Sequence, residues 1–268
     1  MLTIKSSLAS VVVGLAICSA AQAQSATTDR DRPFVFSIST PQTDQRHTTV
    51  HLDAGYSDRP FDVVESDRAE QRFGVQASVG RGFTVLARIG VASEERDQRS
   101  SQQGELLYSV VRAPAHDGSV AVGMGLRHES AGANVLLGRV AAGRRFNDWR
   151  VDGNALFEKP FSVGRDTLDL VTSVGIARRV LPAFHVGIEM IGEDLEGFWE
   201  VDEAEGGARL LVGPSIRFAP TATRWQLSAA GGPVFHGTRS ARTSDATRGL
   251  PSSAKNGYAL RASLSYGF

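Results

Sequence analysis

The sequence predicts an all-β chain that closes into a transmembrane antiparallel up-and-down β-barrel of about 12 strands. Three observations predict it. Segments of about ten residues alternate apolar with polar or small residues, over and over, between turn-like stretches. Beyond the first few tens of residues, no apolar run reaches the ~18 residues of a membrane helix, and no segment keeps a helical period. Glycine is high, at 28 of 268 residues, which suits tight turns and a crowded barrel interior.

The alternating sets assign each strand an outer face, because residues two apart share one side of a strand. In chain order these faces are Val50, Leu52, Ala54 and Tyr56; Phe73, Val75, Ala77 and Val79; and Phe83, Val85, Ala87, Ile89 and Val91. Next come Leu106, Tyr108 and Val110; Val120, Val122, Met124 and Leu126; and Leu136, Val140 and Ala142. The second half gives Trp149, Val151, Ala155 and Phe157; Leu168, Leu170, Val174 and Ile176; and Phe184, Val186, Ile188 and Met190. It ends with Leu210, Val212, Ile216 and Phe218; Trp225, Leu227, Ala229 and Phe235; and a last strand over Tyr258 to Phe268.

An even strand number puts both chain ends on one side of the bilayer. The connections also sort by length. Gly80–Gly82, Arg145–Asp148, Val180–Ala183 and Ala219–Thr223 are short; Ser57–Asp67, Ser93–Gln103, Glu193–Gly207 and His236–Lys255 are long and polar; Ser130–Ala133 is a short connection on the long-loop side. Phe83, Trp149, Phe184, Trp225, Phe218, Tyr266 and Phe268 fall at one boundary, and Tyr56, Phe157, Phe235 and Tyr258 at the other. Two girdles are where amphipathic rings settle at a membrane interface. Pro214 and Pro233 lie inside strand patterns and lack the N–H a ladder needs, so each is expected to mark a bulge.

The chain begins with a charged Lys5, an apolar core from Leu8 to Ile17 and an Ala21-Gln22-Ala23 cleavage pattern. This reads as a signal peptide over residues 1–23, with export through the general secretory pathway. The only cysteine, Cys18, leaves with it, which excludes disulfides, thiolate metal sites and cysteine nucleophiles from the mature chain. Ile17 before Cys18 argues against lipidation. Loss of Lys5 leaves 28 basic against 29 acidic residues, so no basic excess exists to attract nucleic acid. Residues 24–46 form a lead. Within it Pro33–Thr40, P-F-V-F-S-I-S-T, is an extra strand, a lumenal plug or an unstructured piece, and the barrel proper spans 47–268.

The final eleven residues, Y-A-L-R-A-S-L-S-Y-G-F, alternate strictly and end on an aromatic. They resemble the C-terminal assembly signal of Gram-negative outer-membrane β-barrels. In that resemblance Tyr258, Leu260, Leu264, Tyr266 and Phe268 form the signal, barrel-assembly machinery and periplasmic chaperones are partners, and the address is the outer membrane, among its lipid and lipopolysaccharide.

The inward positions carry Arg88, Arg127, Arg139, Arg150, Arg209 and Arg261, with Asp53, Glu105, Glu129, Asp152, Asp169 and Glu189. A charged lining implies a narrow porin-like channel for small polar solutes; the same charges, fully paired, imply a structural barrel with a closed interior. His51 with Asp53 and His185 with Glu189 read as lumenal hydrogen-bonding pairs. Glu193, Asp194, Glu196, Glu200, Asp202, Glu203 and Glu205 face His236, Arg239, Arg242, Arg248 and Lys255 in successive long loops, where they are able to pair over the mouth. No ordered ligand spacing, phosphate loop, H-E-x-x-H or G-x-S-x-G is present, so no metal or cofactor is expected.

One motif points to chemistry. Gly125-Leu126-Arg127-His128-Glu129-Ser130 places His128 and Ser130 on the outer face at a strand's outer end. It resembles the His-x-Ser site of outer-membrane phospholipases and lipid A deacylases, which implies Ser130 as nucleophile, His128 as base and Asn134 as the orienting group. Ala131 departs from the phospholipase pattern H-x-S-N-G, and Asn134 lies nearer than in that family. The rival readings are therefore an outer-leaflet serine hydrolase and a soluble periplasmic β-protein.

Overall fold

The computed structural model describes residues 34–39, 46–58, 69–94, 97–113, 118–130, 132–161, 168–198, 208–237 and 256–268. Twelve antiparallel strands form one closed sheet, each paired with its neighbours in sequence. They are β1 (His47–Ser57), β2 (Ala69–Gly80), β3 (Phe83–Glu94), β4 (Asp97–Ala113), β5 (Gly118–Glu129) and β6 (Asn134–Phe146). The second half is β7 (Trp149–Pro160), β8 (Asp169–Leu181), β9 (Phe184–Glu193), β10 (Ala208–Phe218), β11 (Trp225–Gly237) and β12 (Gly257–Gly267). A 3-10 turn at Leu195–Phe198 follows β9.

The barrel closes between β1 and β12, from Thr49 opposite Gly267 to Ser57 opposite Ala259. The seam is tied at both ends. The Phe268 N–H donates to the Thr48 carbonyl at 2.8 Å, and the Tyr258 N–H donates to Asp58 Oδ1 at 2.6 Å. No sheet edge remains, which is the condition for a strand structure in hydrocarbon.

Every outward set read from the sequence faces outward. Leu52 is 54% exposed and Leu260 56%, whereas Asp53 and Arg261, next to them in the chain, are 2% and 3% exposed. Such an apolar outer wall, running around the whole cylinder, would be an aggregation surface in water. It is the expected surface in a bilayer, and it rules against a soluble periplasmic β-protein.

The β2–β3 turn shows why the short connections sit where they do. Gly80, Arg81 and Gly82 all take positive φ, at 92°, 54° and 84°, a backbone that glycine adopts without steric cost. Ring pairs cluster at that end of the barrel: Phe83 with Tyr108 at 5.0 Å between centroids, Phe184 with Phe218 at 5.1 Å, and Trp225 with Tyr266 at 4.7 Å. Arg178 lies over the Trp149 ring at 5.7 Å. Tyr108 thus joins the girdle through its register partner Phe83.

Two expectations need correction. Ser93–Gln103 is not a long loop: β3 and β4 stay paired out to Glu94 opposite Asp97, and β2 accompanies β3 as far as Ala69 opposite Ser93, so the stretch is part of the sheet. Pro214 and Pro233 do not create bulges. The β10–β11 ladder has no pairs at 212–214 or 231–233, yet its register is the same on both sides of the gap. The two prolines interrupt one seam, while Pro214 stays opposite Ile188 and Pro233 opposite Tyr258 on their other sides. Gly213, Gly231 and Gly232 line the gap, with no room for a Cβ against the facing backbone. The register shifts fall elsewhere, in β2–β3, β4–β5 and β8–β9. Most of the residues of the other three long connections lie outside the described residues, as does the signal segment.

An arginine at the lipid-facing midplane costs about 2–4 kcal/mol. Leu52→Arg is therefore expected to lower unfolding stability in lipid vesicles by that amount, read from the denaturant midpoint. A Leu52→Arg barrel as stable as the parent would contradict the outward assignment.

Candidate functional site in the barrel lumen

Inward side chains make the site. The structure places Arg88, Arg127, Arg139, Arg150, Arg209 and Arg261, and Asp53, Glu105, Glu129, Asp152, Asp169 and Glu189, on the inner face by strand parity. Many are joined in ion pairs, some within one strand and some between strands. Arg139 forks onto Glu105, with its Nε 2.6 Å from Oε2 and its Nη2 2.9 Å from Oε1. Arg127 forks onto Glu158 at 2.6 and 2.7 Å and also reaches Glu129 at 3.2 Å. Arg150 donates to Asp152 at 3.1 Å, and Arg209 lies 3.5 Å from Glu193. Arg261 and Arg72 both bind Glu70, the second at 3.0 Å. Bidentate arginine–carboxylate geometry is the strong form of such a pair.

His51 lies 3.9 Å from Asp53. His185 and Glu189, both inward on β9, are four residues apart along the strand. Of the acidic and basic loop residues, Glu193, Asp194 and His236 have described side chains, and Glu193 and Asp194 are buried; the proposed pairing over the mouth otherwise lies outside the described residues. Among the described residues, no group of three or more histidine, cysteine or acidic side chains is arranged to hold a metal ion.

The inner wall is not polar throughout. Leu86, Leu107 and Ala121 form one buried apolar patch with Ile38, and Ile191, Leu211, Val234 and Ala259 form a second, with Phe36 and Val171 packed against it. The patches lie on opposite walls, β3–β5 and β9–β12. The segment 34–39 runs between them through the lumen and takes no place in the sheet.

That segment is held mainly through its backbone. The Glu189 carboxylate accepts the N–H groups of Val35, at 3.0 Å, and Phe36, at 2.8 Å. Asn154 clasps Ile38 from both sides, accepting its N–H at 3.2 Å and donating to its carbonyl at 3.0 Å. Gln76 Nε2 donates to the Ser39 carbonyl at 3.0 Å, Ser37 and Ser173 share a hydrogen bond at 3.0 Å, and Ser39 Oγ donates to Asp152. Phe36 lies under the Arg261 guanidinium at 5.2 Å. Phe34 occupies the space over Gly175 that any Cβ would fill. Phe34, Val35 and Ile38 are all buried.

The energies nearly cancel. Ordering six residues costs about 6–12 kcal/mol. Burying four apolar side chains gives back about 6–12 kcal/mol, so the backbone hydrogen bonds, at roughly 1 kcal/mol each, tip the balance. With the segment seated, the lumenal cavity beside it is about 70 Å³, bounded by Phe36, Arg72, Arg127 and Glu158 among others. That is room for on the order of five waters.

The outer-face motif is a separate place. His128 Nδ1 lies 2.8 Å from Asn134 Oδ1, across the hairpin where the two residues are register partners. The Ser130 hydroxyl oxygen accepts the backbone N–H of Ser100 at 3.0 Å, so its described hydrogen bond goes to β4, not to His128. His128 and Ser130 are exposed on the outer side. Of the C-terminal set, Tyr258, Leu260, Leu264 and Phe268 are exposed and Tyr266 is half-buried by its neighbouring rings.

Sequence reasoning missed Glu70, Arg72, Glu158 and the seat residues Gln76, Asn154 and Ser173. All share inward parity with residues it found, so the signal was present. The apolar patches also left a trace, in the doublets Val85-Leu86, Leu106-Leu107 and Leu210-Leu211 that break strict alternation.

Together these features define a twelve-stranded barrel of the outer-membrane type with a charged, partly filled lumen. Solved porins share the fold. A KdgM porin in complex with disordered oligogalacturonate aligns with a TM-score of 0.56 at 11% identity, covering 82% of this chain and 99% of that one. A NanC porin aligns with a TM-score of 0.55 at 10% identity, covering 81% and 98%. No protein-family model and no curated protein matches the sequence.

Removing one partner of a buried ion pair costs about 3–5 kcal/mol, because the other charge is stranded. Arg139→Met is expected to destabilise the barrel on that scale, and Arg139→Met with Glu105→Leu by much less, in a double-mutant cycle of denaturant midpoints. Additive losses would show that the pair contributes nothing.

Proposed function

We propose that this chain is an outer-membrane channel for small polar solutes. One observation carries the reading: a wall of arginines, carboxylates and serines lines the inside of a cylinder whose outside is apolar over its height. The fold shared with the KdgM and NanC porins supports the same reading. Because its arginines are largely matched by carboxylates, size and hydrogen bonding govern passage more than net charge. The outward C-terminal strand would be read by the assembly machinery before insertion among lipid and lipopolysaccharide.

A second reading rests on the His128–Asn134 contact at the outer rim. An oriented imidazole two residues from a serine on one face is the arrangement of an acyl-ester hydrolase, and its substrate would be outer-leaflet lipid.

Two measurements separate the readings. A folded, heat-modifiable barrel with Gly-Ser repeats in place of residues 34–39 is expected to give discrete conductance steps in a planar bilayer. Absence of steps from such protein would leave a structural barrel. The hydrolase reading predicts acyl-ester release from phospholipid vesicles that is lost in Ser130→Ala; no release, or release that survives the substitution, eliminates it.

A further inference from the structure

We infer that the lumen contains a binding site for a short peptide that bends over its second to fourth residues, and that its resident ligand is the chain's own Phe34–Ser39, seated as a displaceable plug. The inference rests on the channel reading for its consequence, closure of the pore, and on the seat's geometry for the site itself.

The seat has the features of peptide recognition. Polar groups address the main chain, which every peptide has: Glu189 takes two successive N–H groups, Asn154 takes both the N–H and the carbonyl of one residue, and Gln76 takes the next carbonyl. Side-chain pockets then select. Phe34 requires the bare backbone of Gly175, Phe36 sits between Arg261 and an apolar patch, and Ile38 completes the opposite patch. The backbone bends at residues 35–37, which lets the one carboxylate of Glu189 reach two successive N–H groups; main-chain bonds for affinity with side-chain pockets for specificity are a mode of peptide binding. Without an apolar occupant, Leu86, Leu107, Ile191 and Leu211 would line a watery lumen. The patches thus make sense as the two halves of one seat.

Closure follows from position. The segment crosses the lumen between the two patches, bonded to β2, β7, β8 and β9. Its bonds end on side chains of the fixed wall, and no covalent link holds it there. A rival peptide of the same pattern, or loss of the Glu189 and Asn154 contacts, would therefore release it.

The test uses the full chain with Cys18 replaced by serine and a cysteine pair at Ser37→Cys and Ser173→Cys. These hydroxyls are 3.0 Å apart, close enough for a disulfide to form with small backbone adjustment. Oxidised protein is expected to conduct least in a planar bilayer, and reduction to raise conductance severalfold towards that of the barrel with Gly-Ser repeats at residues 34–39. A synthetic peptide of residues 33–40 should block the Gly-Ser barrel, and Glu189→Gln should weaken that block by about tenfold. Equal conductance of the full chain and the Gly-Ser barrel would overturn the plug while leaving the channel. If neither conducts, the channel reading falls, and anisotropy of the labelled peptide decides the site: saturable binding to the Gly-Ser barrel, stronger than that of a scrambled peptide, upholds it, and no such preference removes it.

Discussion

Everything in this molecule depends on the hydrogen-bonded seam between its first and last strands. An open sheet of eleven hairpin-linked ladders would still present two rows of unpaired N–H and C=O groups. Each would cost several kcal/mol in hydrocarbon. Joining His47–Ser57 to Gly257–Gly267 removes both rows at once. The seam is carried to the final residue, since the Phe268 N–H itself donates to Thr48. Once the cylinder is closed, strand parity has only one meaning: one set of side chains meets lipid and the other meets the lumen.

Closure also explains the use of proline and glycine. The sheet tolerates Pro214 and Pro233 because they fall in the same seam, β10–β11, where glycines let the backbones approach without a regular ladder. The loss is confined to one short stretch, and the register survives it. The ion pairs act on the same frame. Arg139–Glu105, Arg127–Glu158 and Arg261–Glu70 tie strands that are not sequence neighbours. They brace the wall from inside, where lipid never reaches. The plug segment adds contacts between walls that no single pair is long enough to make.

Much of this was written plainly in the sequence, and the parts that were not have physical reasons. Alternation gave the outer face of each strand, because lipid demands apolar side chains at every second position and nothing relaxes that demand. The lumen is less strict. It accepts glycine, serine, arginine or leucine, so inward residues such as Glu70 and Asn154 are found by parity but not by type. The Ser93–Gln103 stretch looked like a loop because it is polar on both faces, so alternation carries no signal there although the strands stay paired. Residues 34–39 were open to several readings because F-V-F-S-I-S fits a strand as well as a plug. Only the seat, built from β2, β7, β8 and β9, distinguishes them, and contacts between residues 37 to 154 apart leave no local trace. The His128–Asn134 pair was legible for the opposite reason: the two residues are joined by one short hairpin.

The most direct test of the central claim is a nitroxide scan along β12, one labelled cysteine at a time from Tyr258 to Phe268, in a Cys18→Ser background reconstituted in lipid vesicles. Accessibility to dissolved oxygen should alternate with a period of two. Leu260, Ala262 and Leu264 should be high, and Arg261, Ser263 and Ser265 low. Equal accessibility along the strand, or the opposite phase, would contradict a closed barrel with its apolar face in the bilayer.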